Sequence, residues 1–146
     1  MSVRKIQIIN GPNLNLLGTR EPQIYGNQTL DQILTETSNY AKTKGFDLNC
    51  FQSNHEGEII DQLQQLQTEV VAVVINPGAL THTSIAIRDA ISAISPPVVE
   101  VHLSNIYSRE EFRRHSIISP VVKGSICGFG SAGYLLAIDA IASILR

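Results

Sequence analysis

Five short apolar runs, at residues 5–9, 47–51, 70–75, 98–103 and 124–127, alternate with stretches of helical periodicity, and nothing else in the chain constrains its fold as strongly. Runs such as Val-Val-Ala-Val-Val-Ile at 70–75 are rich in β-branched residues and suit strands buried on both faces. Between the runs, Leu30, Ile33, Leu34, Thr37 and Ala41 line one helix face, and Thr29 caps that helix with Gln32 three residues on. Ser53 and Glu56 predict a second capping box, ahead of Ile59, Ile60, Leu63 and Leu66. A third helix after Thr81 turns Ala86, Ile87, Ala90, Ile91 and Ile94 inward. A short fourth opens at Ser108 with Glu111 as its capping partner, and residues 134–145 are apolar nearly all round.

Strand and helix therefore alternate about five times. The pattern predicts an α/β fold, a doubly wound five-stranded parallel sheet of flavodoxin-like order with helices on both faces. No repeat or linker interrupts it, so residues 1–146 read as one domain. In such sheets ligands bind beyond the carboxyl ends of the strands.

Composition narrows the function classes. Hydrophobic residues make up 43% and charged residues 16%, which excludes a disordered chain. Eleven Lys and Arg against thirteen Asp and Glu leave a formal charge of −2, with no electrostatic footprint for nucleic acid. No stretch approaches the roughly 20 apolar residues that span a bilayer, and residues 1–10 lack the apolar run of a signal peptide. Cys50 and Cys127 fall in strand-like runs and read as free, buried thiols of a cytoplasmic protein. The final helix has more apolar girth than one sheet face covers, and Ile85 sits beside Arg88 and Asp89 on the polar side of the third helix. Both features predict a homo-oligomer.

The loops at the strand ends hold the chemistry. Residues 10–26 are long for a βα connection and end in Arg20, Tyr25 and Gly26, which favours a binding loop over a plain connector. Asn76 ends the third run and can present its amide to a ligand. Thr81 and His82 begin a helix whose N-terminus favours anions, although His82 alone fits a cap neighbour as well as a ligand contact. Period-two geometry puts Glu100 and His102 on one face at the ligand edge. A carboxylate beside an imidazole fixes its tautomer and favours its protonated form, preparing a proton donor; a purely structural pair is the competing reading. Arg109 and Arg113, four apart on the fourth helix, suit either a carboxylate ligand or the surface. Gly-Phe-Gly-Ser-Ala-Gly at 128–133 matches a dinucleotide fingerprint, but too few residues follow for the second strand and acidic residue it requires. Close helix–sheet packing or a subunit contact explains those glycines better. Metal-site spacings, a Gly-x-Ser-x-Gly elbow, a Walker A sequence and a strand-end lysine are all missing from the sequence.

Taken together, Gly-Pro-Asn-Leu-Asn-Leu-Leu-Gly-Thr-Arg-Glu-Pro at 11–22 with Tyr25-Gly26, Asn-Pro-Gly-Ala-Leu-Thr-His-Thr-Ser at 76–84, Glu-Val-His-Leu-Ser-Asn at 100–105, the stretch at 109–116 and Gly-Phe-Gly-Ser-Ala-Gly-Tyr at 128–134 closely resemble type II 3-dehydroquinate dehydratases, nearly end to end. The resemblance implies conversion of 3-dehydroquinate to 3-dehydroshikimate through an enolate, without cofactor or metal, in a dodecamer built from trimers. Carried over residue by residue, it makes Tyr25 the general base, His102 the general acid, Arg20 the aid to the base, Asn13 the holder of a water near the enolate, and Glu100 the residue orienting His102. Asn76, His82, Leu103, Ser104 and Arg113 would bind substrate, and Asp89 would reach a neighbouring subunit's site. A guanidinium near a tyrosine favours its ionised form, which fits this division. The competing reading from another class is a non-catalytic flavodoxin-like module that binds a small anion. Tyr25 and Arg20 discriminate, because a binder has no use for an activated base.

Overall fold

The computed structural model describes residues 3–146, so Met1 and Ser2 of the expected domain lie outside the described residues. Five parallel strands, β1 (Arg4–Asn10), β2 (Phe46–Gln52), β3 (Val70–Asn76), β4 (Val98–His102) and β5 (Gly124–Cys127), form one sheet in the order β2-β1-β3-β4-β5. This is the flavodoxin-like order, as expected. The helices are α1 (Pro22–Tyr25), α2 (Leu30–Thr43), α3 (Glu56–Gln64), α4 (Ile85–Ala93) and α5 (Ala132–Ile144).

The strand period of two divides the core. Ile6, Ile8, Ala72, Val74, Val99 and Val101 face α2 and α5, whose Ile33, Ala41, Ala137, Ile138 and Ile141 close one layer. Ile9, Val73, Ile75 and Val98 face α3 and α4, which contribute Ile59, Leu63, Ile87 and Ile91 to the other. Burial on both faces holds for β1, β3 and β4 but not for β2 and β5, which are the sheet edges. That corrects the expected burial of the cysteines: both are free, but Cys50 on β2 is exposed and Cys127 half-buried.

The α2 capping box forms as expected, with Thr29 Oγ1 accepting from the Gln32 amide and the Gln32 side chain accepting from the Thr29 amide. The second box does not. His55 occupies the N-cap of α3, and Ser53 instead accepts from the His55 amide and donates to Glu58. The helix expected after Thr81 starts later, because Gly78–His82 is a 3-10 turn and Ser84 caps α4 through the Ile87 amide. Along α4, Ile87, Ala90 and Ile91 are buried, whereas Ala86 is exposed. No α-helix opens at Ser108: two separate 3-10 turns, Ile106–Ser108 and Glu111–Arg113, stand there, the first capped by Asn105. Among the described residues no helix is long and apolar enough to cross a membrane.

Candidate active site

The carboxyl ends of β1, β3 and β4 open into one cavity of about 160 Å³. It lies where the chain reverses direction across the sheet, on either side of β1, the position at which doubly wound folds bind ligands. The loops after β1 and β3 form its floor backbone against backbone. A Cβ on Gly11 would come within 2.4 Å of the Pro77 carbonyl oxygen, so only glycine permits this approach.

Asn13, Arg20, Tyr25, Asn76, His82, His102, Leu103, Ser104, Arg109 and Arg113 all line the cavity. No Asp or Glu among the described residues does, so three guanidinium groups give the cavity a cationic wall suited to a carboxylate. The half-buried ring of Tyr25 lies between two of them, 4.9 Å from Arg20 Cζ and 5.2 Å from Arg109 Cζ to the ring centroid. Arg20 also pairs with exposed Glu21 at 3.5 Å, and Arg109 Nη1 donates to Ser104 Oγ at 3.3 Å. Arg113 is held by Glu110 at 3.3 Å.

On β4, His102 Nε2 stands 2.5 Å from Glu100 Oε2. Glu100 is fully buried and saturated by hydroxyl donors: Thr81 (2.9 Å) and Ser116 (2.8 Å) to Oε2, Ser119 (2.8 Å) and Ser125 (3.4 Å) to Oε1. Burial pushes this carboxyl upward, but the hydrogen bond and charge of His102, with Ser119 and Ser116, outweigh it and hold the group at about 2. Glu100 is therefore a fixed anion behind the imidazole. His82 Nδ1 meets the His115 carbonyl at 2.9 Å; desolvation depresses this imidazole below its ordinary value, so it is a neutral ligand group.

A family model described as dehydroquinase class II matches residues 4–142. The chain belongs to the class II dehydroquinase family. It is 55% identical over 139 residues to 3-dehydroquinate dehydratase 2 of Pseudomonas aeruginosa, covering 95% of this chain and 94% of that one. It is 54% identical over 136 residues to 3-dehydroquinate dehydratase of Bacillus subtilis, covering 93% and 92%. Among solved structures, the type II dehydroquinase from Butyrivibrio crossotus superposes with a TM-score of 0.93 at 48% identity, covering 97% of this chain and 99% of that one.

For a class II dehydroquinase the expected site residues separate cleanly. Nine of them line the cavity, and Glu100 lies directly behind it on His102. Asp89 does not join them: it is exposed on α4, away from this subunit's cavity. Arg109 and Arg113 both reach the site, but from separate turns and not from one helix face. Thr81 supplies no helix N-terminus; its hydroxyl goes to Glu100. Sequence reasoning missed the other hydroxyls around Glu100 and also Asn54, whose Oδ1 accepts from the Asn13 amide at 2.9 Å and holds that left-handed residue. Ser116 and Ser119, spaced by three in a segment without helical pattern, were the only signal available.

Proposed function

We propose that the protein is a type II 3-dehydroquinate dehydratase in which Tyr25 is the general base and His102 the general acid. One observation carries the reading: a phenol flanked by two guanidinium groups shares a single cavity with an imidazole gripped by a buried carboxylate. The phenolic oxygen of Tyr25, whose ring packs against Arg20 and Arg109, takes a proton from the carbon next to the substrate ketone. The electron pair moves onto the carbonyl oxygen, giving an enolate that a water held by Asn13 stabilises. As the enolate collapses, the carbon–carbon double bond forms and the carbon–oxygen bond of the leaving hydroxyl breaks. His102 donates its proton to that oxygen, and water departs. Glu100 occupies Nε2, which leaves Nδ1 for this transfer. Return of the Tyr25 proton to His102 through solvent restores both groups. Asn76, His82, Leu103, Ser104 and Arg113, which line the same cavity, bind the substrate.

The same reading makes residues 1–146 one catalytic domain, assembled as a dodecamer of trimers in the cytoplasm, with Asp89 serving a neighbour's cavity. Supporting assembly, Ile85 on α4 is 66% exposed and Leu136 on α5 is 41% exposed, and Phe112 and Phe129 are exposed as well. Proton NMR of 3-dehydroquinate incubated with the purified protein tests the function. A new vinylic signal is expected, and an unchanged substrate spectrum refutes it.

A further inference from the structure

The glycine-rich stretch at 128–133 puts no side chain into the catalytic cavity, yet it determines where Tyr134 sits. A Cβ on Gly133 would lie 3.2 Å from Val101 Cγ1 and 3.8 Å from Ile126 Cγ2, so the first turn of α5 rests directly on β4 and β5. Tyr134 is thereby fully buried beneath the carboxyl edge of the sheet.

Its hydroxyl bridges two register partners, Asn10 at the end of β1 and Asn76 at the end of β3. It donates to Asn10 Oδ1 at 2.5 Å and accepts from Asn76 Nδ2 at 3.1 Å. Asn76 Oδ1 in turn accepts from the Gly78 amide at 3.1 Å. Both ends of the Asn76 amide are thus assigned, and one Nδ2 hydrogen remains for the cavity that this residue lines. Burial pushes the Tyr134 hydroxyl up, so it stays a neutral donor throughout the working pH range. Stability does not account for the cluster. Asn10 Nδ2 is buried without a partner among the described residues, and a polar core group left unpaired is costlier than an apolar replacement of the same shape.

We propose that Tyr134 is a positioning residue: its hydroxyl fixes the orientation of the Asn76 amide and so aims the remaining Nδ2–H at an oxygen of the bound substrate. The inference rests on reading the cavity as a dehydratase site. It gives the glycine motif a purpose, delivery of a tyrosine hydroxyl to the underside of the substrate pocket.

The test is a double-mutant cycle of Tyr134→Phe and Asn76→Ala, read as KM and kcat for 3-dehydroquinate. Tyr134→Phe alone raises KM about ten-fold, or roughly 1.4 kcal/mol, with kcat within about two-fold of wild type. In the Asn76→Ala background the same change leaves KM where Asn76→Ala put it. A merely structural tyrosine predicts another result, a lower kcat at unchanged KM through loss of active protein. Unchanged KM, or additive effects of the two substitutions, overturns the proposal. If Tyr134→Phe does not fold, Asn10→Leu removes the acceptor of the tyrosine hydroxyl and must raise KM in the same non-additive way; an unaltered KM there also overturns it. A wild-type protein without turnover overturns the functional reading and this inference with it, whereas normal wild-type turnover beside an unaffected Tyr134→Phe KM overturns this inference alone.

Discussion

Glu100 Oε2 stands 2.5 Å from His102 Nε2, and hydroxyls of four different residues complete the coordination of the same carboxylate. The group is an anion in the folded state and is held at about 2, below the ~4.3 of an unfolded chain. A depressed carboxyl contributes stability that is fully present above its unfolded value and is lost as pH falls through the folded one. Glu100 therefore contributes on the order of 3 kcal/mol at neutral pH, lost between about pH 4.5 and pH 2. Denaturant midpoints measured from pH 6 to pH 2.5 are expected to fall steeply in wild type and less steeply in Glu100→Gln. Parallel curves for the two proteins contradict the assignment.

Tyr25→Phe keeps the ring between Arg20 and Arg109 and removes only the phenolic oxygen, the proposed base. The expected loss in kcat is about 10²- to 10⁴-fold, with fold and assembly unchanged by circular dichroism and sedimentation. Substantial residual turnover removes Tyr25 from the role of base.

With His102 as the proposed general acid, His102→Ala is expected to lower kcat by about 10²- to 10⁴-fold. A rise in KM at unaltered kcat assigns His102 to binding instead.

Much of this was legible in the residues. The five strands were found to within a residue or so at each end, because Val- and Ile-rich runs bounded by polar loops leave little choice. The burial of β2 was misjudged: Asp47 and Asn49 already dilute that run, and the edge position explains them. Helix starts were less secure. Ser53 had a suitable acidic residue three positions on, but Glu58 captured its hydroxyl and the helix opened later. The segment at 106–113 has helical spacing of Arg109 and Arg113 yet breaks into two 3-10 turns; the side chains converge because the cavity, and not a helix face, organises them. The hydroxyls around Glu100 come from residues 16 to 25 positions away, as well as Thr81, and tertiary folding alone brings them together.

Asp89 tests the proposed sharing of sites between subunits. It is exposed on α4 near Ile85, outside its own cavity. Asp89→Ala is expected to impair turnover, and mixing Asp89→Ala with Tyr25→Phe subunits is expected to restore part of it, since some mixed sites carry both Tyr25 and a neighbour's Asp89. Co-assembled mixtures that stay inactive, or a fully active monomer, contradict the shared site.

The most direct test of the central claim is the absorbance of the conjugated enone formed from 3-dehydroquinate by the purified protein, recorded with and without EDTA and beside Tyr25→Phe. The account predicts turnover by the wild type that chelation does not diminish, and almost none by the variant. Tight binding of 3-dehydroquinate without any enone would make the chain a small-anion-binding module and contradict the account.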